Sequence, residues 1–207
     1  MPTQDVHAFV RASLPPPPAR VLEVGAGDGE LAAALADAGY EVVAIDPAGG
    51  PPHVRAVPLH ELDEPDGSFA AAVAVVSLHH VEPLAESCAR LAALLAPGAR
   101  LVIDEFDVAI YDEAAARWWL SHTDRDNHPE ALVADLRAHL HSLDEIVTVL
   151  RTWFEVGEPV RGAYLYRWEI DPALRGDEEQ AIAAGAIPAT GARVIATRGS
   201  RAPVERR

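Results

Sequence analysis

Apolar and polar positions along the chain first predict a buried strand, a tight turn and a helix within residues 20–35. Residues 21–24 are apolar apart from Glu23, and apolar residues return at helical spacing from Leu31 onward. A second apolar run, 41–46, predicts a neighbouring strand that ends on Asp46. This order of strand, turn, helix and strand is typical of a doubly wound α/β fold.

Further apolar runs extend the predicted sheet. In the run 163–170, aromatic side chains alternate with other residues, and the run 193–198 is short and contains β-branched residues. The additional strands are predicted over residues 54–59, 69–76, 99–106, 163–170 and 193–198.

Helical spacing and capping signals place helices between these strands. They are predicted over 3–14, 83–95, 112–121, 129–140, 142–154 and 177–184. Ser142 and Glu145 form a capping box at the start of one of them, and Cys88 lies on the apolar face of another, as a core thiol would. Two glycines and two prolines at 49–52 predict a loop or single turn where the second helix of a doubly wound fold normally lies.

The glycine-rich turn is the main candidate for ligand binding. Gly25, Gly27 and Gly29 alternate with other residues just before the predicted helix. Glycine permits a sharp turn and brings the backbone close to a ligand, and the helix start supplies free N–H groups for an anionic group. Asp46 ends the second strand, where doubly wound folds bind ribose hydroxyls; a tight turn with a capping aspartate is the structural alternative.

The spacing of these glycines leads to a family resemblance. The run Glu23-x-Gly25-x-Gly27-x-Gly29 differs from the G-x-G-x-x-G dinucleotide fingerprint and resembles the first motif of the class I S-adenosylmethionine-dependent methyltransferases. The resemblance continues in the sequences DGSF (66–69), SLHH (77–80) and APG (96–98), and covers most of the chain up to about Glu105.

The resemblance implies a fold and an activity. The fold would be a doubly wound, Rossmann-like, seven-stranded and mostly parallel sheet with an antiparallel last strand and an inserted helical cap. The whole chain, 1–207, would be one methyltransferase-like domain made of an N-terminal helix and proline linker (1–18), a cofactor-binding core (19–106), a helical cap (107–154) and C-terminal strands (155–207). The activity would be methyl transfer from S-adenosyl-L-methionine to oxygen, nitrogen or carbon of a small molecule.

The same resemblance assigns cofactor-binding residues position by position. In the turn and at the strand ends they are Glu23, Gly25, Ala26, Gly27, Asp28, Gly29, Asp46, Pro47, Ser77 and Leu78. The family commonly has an acid after the third strand that meets the adenine amine. That position falls near Pro58 here, so the adenine contact is predicted to pass to His60, Glu61 or the Leu62 backbone.

Candidate residues for catalysis and acceptor binding follow the fourth and fifth strands. His80 is a candidate general base because histidine titrates near neutrality, with packing around the cofactor as the alternative. Glu105 either holds the acceptor or simply ends its strand. The candidate acceptor-binding residues are His79, Tyr111, Trp118 and His122.

Composition narrows the partners. The 17 basic residues are all arginine and stand against 32 acidic residues, for a net charge of −15. This balance argues against nucleic acid and against an anionic membrane, since both require clustered positive charge. One cysteine excludes an internal disulfide, the nine histidines lack a metal-ligand spacing, and no signal or membrane-spanning run is present, so a cytoplasmic protein without a metal is expected.

Two other functions remain open at this point. A methyltransferase-like protein can bind the cofactor without transferring a methyl group, as an inactive partner subunit or as a catalyst of rearrangement or cyclisation. A nicotinamide-dependent oxidoreductase is the second alternative, disfavoured by the glycine spacing. The oligomeric state is open, with a homodimer as one candidate.

Overall fold

A computed structural model describes residues 6–200 as an α/β fold built on one eight-stranded sheet. The strands are β1 (Arg20–Val24), β2 (Glu41–Asp46), β3 (Val54–Ala56), β4 (Phe69–Val75), β5 (Leu95–Phe106), β6 (Phe154–Val156), β7 (Val160–Gly162) and β8 (Gly191–Arg198). The sheet order is β3-β2-β1-β4-β5-β8-β6, and β7 also pairs with β8. Strands β1 to β5 are parallel and β8 is antiparallel to β5, which confirms the predicted mixed Rossmann-like sheet.

The outer edge of the sheet is divided between two short strands. β6 pairs with the end of β8, with Val156 opposite Ala196, whereas β7 pairs with its beginning, with Val160 opposite Arg193. These two strands therefore occupy successive parts of one edge. The sheet has eight strands but is seven positions wide, as the resemblance implied.

The predicted strand over 163–170 is wrong. The segment forms a 3₁₀ turn at Leu165–Arg167 instead, and the edge strands precede it in the chain. Its backbone N–H groups do not join a ladder, because the buried carboxylate of Glu178 accepts from Tyr164, Leu165 and Tyr166 at 2.8, 2.9 and 2.8 Å. A carboxylate that binds successive amides holds a turn.

The helices follow the prediction closely. They are α1 (Val6–Ser13), α2 (Glu30–Asp37), α3 (Leu84–Leu94), α4 (Glu113–Leu120), α5 (Pro129–His139), α6 (Leu143–Leu150) and α7 (Arg175–Ala183). The predicted start of the first helix, at residues 3–5, lies outside the described residues. The Ser142–Glu145 capping box is present, and 47–53 contains turns in place of a helix, so both predictions are confirmed.

The third strand is shorter than predicted. It ends at Ala56, and a 3₁₀ turn at Leu59–Glu61 follows. Pro58 lacks the N–H group that would extend the parallel ladder with β2, which explains the early end.

Helices cover both faces of the sheet. Leu22 and Val24 of β1 pack in one core cluster with residues of α3 and α6, whereas Val21 packs on the opposite face with residues of α1 and α2. Cys88 is buried in the first of these clusters, and burial raises the pKa of its thiol to about 12, which confirms a core role. Because helices cover both faces of the sheet, the carboxyl ends of β1, β2, β4 and β5 remain as the edge of the sheet where the candidate polar residues lie.

A second apolar cluster lies beyond that edge. Residues of α4 and α5 pack there against Phe106, Tyr164 and Leu165, whereas the buried residues of α6 belong to the sheet core. The pair α4–α5 is therefore the part of 107–154 that stands over the carboxyl end of the sheet together with the 164–187 segment.

Candidate functional site

The glycine turn after β1 has backbone angles that favour glycine. Gly25, Gly27 and Gly29 have φ values of 70°, 51° and 74°, in the left-handed region where a Cβ is strained. The N–H groups of Gly25 and Ala26 both donate to the carbonyl of Ile45, at 2.9 Å each. The turn is therefore fixed to the end of β2 as well as to β1.

The turn also approaches the segment after β4 very closely. A Cβ added to Gly25 would lie 2.3 Å from the Cβ of Ser77. At Gly29 it would lie 2.3 Å from Nε2 of His53. The absence of a side chain at Gly25 thus allows the loop after β1 to pack directly against the loop after β4.

Replacing Gly25 by alanine is expected to lower the free energy of unfolding by about 1–3 kcal/mol, because the new methyl group overlaps Ser77 and the backbone is strained. Urea denaturation measures this change. Gly67→Ala is the matched control, since its φ is 67° but nothing lies within 4 Å of the added Cβ. Equal losses in the two variants would show that backbone strain alone, and not the close approach, controls this site.

Asp46 joins the glycine turn to the loop after β2. Its Oδ2 accepts from the N–H of Gly27 at 3.1 Å and its Oδ1 accepts from that of Ala48 at 2.9 Å. The carboxylate lines a cavity of about 490 Å³, in the usual size range for small-molecule sites. The wall of this cavity includes Gly25, Asp46, Pro47, Pro58, Ser77 and His80.

The predicted adenine residues do not line this cavity. Val57, Pro58 and Leu59 form that part of its wall, whereas His60, Glu61 and Leu62 follow in and after the 3₁₀ turn. The side chain of Leu62 is buried in the sheet core, and its N–H donates to the carbonyl of Leu59 at 3.3 Å. The early end of β3 explains the difference, since the chain enters a 3₁₀ turn at Leu59 and the residues that follow no longer line the cavity.

Glu23 lies on the other side of the same turn. The residue is 4% exposed, and among residues 6–200 its Oε2 finds no hydrogen-bond partner. Desolvation by burial, and secondarily the charge of Asp28, raise the pKa of this carboxyl from 4.5 to about 7. A buried acid without a partner destabilises the protein, so this position suits a cationic ligand group.

Glu23 lines a second cavity, of about 300 Å³. Asp28 and Arg167 also lie in its wall, and Gly25 lines both this cavity and the one beside Asp46. Asp28 accepts at 3.1 Å from the N–H of Glu30 in the first turn of α2. The first glycine of the turn therefore lies in the wall of both cavities.

The segment after β4 is held by Glu105. Val76 has a φ of 52°, which is strained for a β-branched residue. Oε1 of Glu105 accepts from the N–H groups of Ser77 and Leu78, at 2.8 and 2.6 Å. Glu105 is 0% exposed, so the geometry gives it a positioning role for this turn rather than contact with an acceptor.

The two adjacent histidines have different surroundings. Nδ1 of His79 lies 2.5 Å from Oε2 of Glu105, and the residue is 4% exposed. His80 is exposed and lines the cavity beside Asp46, with its ring 4.3 Å from that of His79. Partial desolvation, and secondarily His79, lower the pKa of His80, which favours the neutral imidazole that a general base requires.

The three predicted acceptor residues of the cap lie outside both cavities. Tyr111 is buried among aromatic rings, and its hydroxyl has no hydrogen-bond partner. Nδ1 of His122, on an exposed residue, lies 2.8 Å from the carbonyl oxygen of Trp118, and the two rings are 4.5 Å apart. The structure thus brings Tyr111 into the aromatic core and places Trp118 and His122 together, apart from the glycine turn.

Other parts of the surface are less informative. A larger depression, of about 820 Å³, lies between α1 and the residues that precede β2, at the amino end of the sheet and away from the glycine turn. Among residues 6–200, side chains of His, Cys, Asp and Glu do not gather in a group of three that could hold a metal ion. Within the same range, no helix has the length and apolar character needed to cross a membrane.

One residue of the site was not predicted from the sequence. Arg167 lines the cavity of Glu23, and its Nη1 lies 2.5 Å from Oδ1 of Asp104. It lies in the segment expected to be a strand, about 140 positions after the glycine turn, and no local pattern connects it with that turn. The glycine turn, the strand-end acid and the two cavities lie at the carboxyl ends of parallel strands, where α/β folds of this kind bind their ligands.

Comparison with known families identifies the class of this protein. Residues 3–145 match the model of the methyltransferase domain family, so the chain belongs to that family and the predicted resemblance is confirmed. A ubiquinone biosynthesis O-methyltransferase from Xanthomonas axonopodis pv. citri (strain 306) is 33% identical, over 49% of this chain and 52% of the relative. The chain thus spans about half the length of the curated relative that it matches.

Solved structures confirm the fold. An S-adenosylmethionine-dependent methyltransferase from Mesorhizobium loti has a TM-score of 0.61 and 17% identity, with 91% of this chain and 95% of that chain covered. A 1,6-didemethyltoxoflavin-N1-methyltransferase from Burkholderia thailandensis, solved with 1,6-didemethyltoxoflavin and S-adenosylhomocysteine, has a TM-score of 0.54 and 23% identity, covering 88% and 72%.

Proposed function

We propose that the protein transfers a methyl group from S-adenosyl-L-methionine to a small-molecule acceptor. One observation carries this proposal: two cavities of different character lie on the glycine turn and share Gly25 in their walls. Asp46 lines the first, and the unpartnered carboxylate of Glu23 lines the second. A ligand with a ribose at one end and an ammonium group at the other fits this pair.

The residues present fit the cofactor in three ways. Asp46 would accept hydrogen bonds from the ribose hydroxyls, with Pro47, Val57, Pro58 and Leu59 against the adenine. Gly25, in the wall of both cavities, has no side chain that would obstruct the ligand, and Ser77 packs directly against this glycine. Glu23 would pair with the ammonium group, which supplies the partner that its buried Oε2 lacks.

The chemistry divides between cofactor and chain. S-adenosyl-L-methionine supplies a methyl group already activated on a sulfonium. The protein has to hold the acceptor in line with that methyl group and to exclude water. If the acceptor loses a proton, His80 is the side chain proposed to take it, because it lines the cavity and its lowered pKa keeps it neutral.

The partners are narrowed by charge. The net charge of −15 supports a small-molecule acceptor and argues against nucleic acid. A cytoplasmic location stays a prediction from the sequence.

Calorimetric titration with S-adenosylhomocysteine tests the cofactor assignment. Micromolar binding is expected, and Asp46→Asn is expected to weaken it at least tenfold, since one charged acceptor for the ribose is lost. Asp63→Asn is the control, because Asp63 is exposed and does not line the cavity. Undetectable binding to the unsubstituted protein would sink the proposal, and binding of NAD instead would favour the oxidoreductase.

Cofactor binding alone does not distinguish a methyltransferase from a related protein that binds the cofactor without transferring a methyl group. A panel of phenols, amines and carbon acids with radiolabelled S-adenosylmethionine addresses that step. Transfer of label to any of them supports the enzyme. Tight cofactor binding with no transfer to the whole panel would favour a partner subunit or a rearrangement catalyst.

A further inference from the structure

A small cavity near the carboxyl end of β5 is surrounded by arginine side chains. Its volume is about 80 Å³, and Arg161, Arg167, Arg175 and Arg193 all lie in its wall. The chain as a whole has 17 basic and 32 acidic residues. A concentration of guanidinium groups in an acidic protein indicates a site for a negatively charged ligand.

The charges of this cavity are unequal. Among the described residues, Asp104 is the acid in its wall. It is 4% exposed and accepts from Nη1 of Arg167 at 2.5 Å and Nε of Arg193 at 2.8 Å. Arg161 pairs with Asp107 at 2.7 Å and Arg175 with Glu179 at 3.0 Å, but neither acid lines the cavity. Four arginines and one aspartate therefore line the cavity among the described residues, and each of these arginines also has a carboxylate partner.

The arginine cavity adjoins the proposed site for the methionine end of the cofactor. Arg167 lines both this cavity and the one that contains Glu23. Asp104 is also paired in register with Val75, which lines the Glu23 cavity from the neighbouring strand. Neighbouring strands are about 4.8 Å apart, so a group bound among the arginines would lie a short distance from the cofactor.

The backbone leaves room for that group. Gly162 and Gly191 face each other across β7 and β8 and both line the cavity. A Cβ on Gly162 would have no other atom within 4 Å, so the space beside this glycine is open. The space fits a small oxyanion with a few carbon atoms, which a guanidinium can bind through two parallel hydrogen bonds.

We propose that the methyl acceptor carries an oxyanion group, a carboxylate or a phosphate, and that this group binds among Arg161, Arg167, Arg175 and Arg193. This inference rests on the proposed function, because it names the acceptor class for the same site. The arginines would orient the acceptor from one end while its reacting atom extends toward the Glu23 cavity. Neutral molecules of the same shape would bind poorly, since the guanidinium groups would lose solvent without gaining a partner.

The test compares three ring compounds that differ in one group. Benzoate, phenyl phosphate and benzamide are titrated into the full chain saturated with S-adenosylhomocysteine, and binding is followed by saturation-transfer NMR. Benzoate or phenyl phosphate is expected to bind at least tenfold more tightly than benzamide. The preferred anion then assigns the acceptor as a carboxylate or a phosphate.

Substitutions locate the binding. Arg175→Gln is expected to weaken anion binding about threefold and the double variant with Arg161→Gln at least tenfold, whereas Arg161→Lys retains part of it. Arg117→Gln is the matched control, because Arg117 is exposed on α4 and, like Arg175, pairs with a glutamate one helical turn away. Circular dichroism of each variant verifies the fold.

The outcomes separate the two proposals. S-adenosylhomocysteine affinity is measured in every variant and is expected to be unchanged by Arg175→Gln. Equal binding of benzamide and the anions, absence of anion binding, or anion binding that survives the double substitution would each overturn the arginine site while leaving the cofactor site intact. Failure of S-adenosylhomocysteine to bind the unsubstituted protein would instead remove the proposed function.

Discussion

Replacing Glu105 by alanine is expected to lower the free energy of unfolding by about 3–5 kcal/mol. The carboxylate accepts from Ser77 and Leu78 and pairs with His79, and it is fully buried. Its removal leaves buried N–H groups without acceptors, each at a cost of about 1–3 kcal/mol, and leaves His79 without its partner. The strained backbone of Val76 would then relax, because the amides that follow it are no longer held.

Urea denaturation of three variants measures this effect. Glu105→Gln keeps an amide oxygen for the two N–H groups and is expected to lose less, about 1–2 kcal/mol. Glu86→Ala, at an exposed position on α3, is expected to change stability by less than about 0.5 kcal/mol. An alanine variant as stable as the Glu86 control would show that the turn after β4 does not depend on Glu105.

The same substitution should also affect ligand binding. Val76 and Ser77 line the cavity beside Asp46, so a turn that has relaxed presents a different wall to the adenosine. S-adenosylhomocysteine affinity is therefore expected to fall in Glu105→Ala more than in Glu105→Gln. A loss of stability with unchanged affinity would separate the folding role of Glu105 from the shape of the site.

Local sequence signals predicted the parts of the fold that local interactions determine. The glycine turn, the capping box at Ser142 and the missing helix at 47–53 each follow from backbone preferences of a few adjacent residues.

The two errors in the predicted strands have different causes, one from a residue distant in the sequence and one from a proline within the segment. The aromatic alternation over 163–170 has the period of a strand, yet the buried Glu178 binds the amides of Tyr164, Leu165 and Tyr166 and holds a turn. Because β3 ends at Ala56, residues 57–59 line the cavity instead of the predicted residues 60–62. The first effect has no signal within its segment, because it depends on a partner 12 to 14 positions away. The second has a local signal, since Pro58 lies within the predicted strand and cannot extend the ladder.

The candidate site divides in the same way. Residues near the glycine turn, such as Glu23, Asp28 and Asp46, were predicted by position and all line one of the two cavities. Arg167 and the role of Glu105 as an acceptor of backbone N–H groups depend on how β4, β5 and the 164–187 segment pack. The sequence therefore predicted site residues best where one short segment, the glycine turn and its flanking strands, places them in a cavity wall.

Glu23→Gln is expected to stabilise the ligand-free protein at alkaline pH. The pKa of Glu23 is raised to about 7 in the folded protein from 4.5, so the folded state binds more protons than the unfolded state between these values. The free energy of unfolding therefore falls as the pH rises from about 4.5 to about 7, by roughly 3 kcal/mol for this group. The glutamine variant lacks this loss and should be more stable by about 1–3 kcal/mol at pH 8, with little difference at pH 4.

The same substitution is expected to weaken S-adenosylhomocysteine binding at least tenfold, because the buried carboxylate is the proposed partner of the ligand's ammonium group.

In the unsubstituted protein, only the ionised fraction of Glu23 can bind, so the affinity should rise about tenfold between pH 6 and pH 8. Binding near pH 6.5 should then release a proton, which calorimetry in buffers of different ionisation enthalpy detects. Asp37→Asn is the control, since Asp37 is exposed at the end of α2 and lines neither cavity. If affinity were independent of pH, or unchanged in Glu23→Gln, the ammonium group would have to bind elsewhere. Gain of stability together with loss of affinity would instead show that the fold retains an unfavourable buried charge because the cofactor requires it.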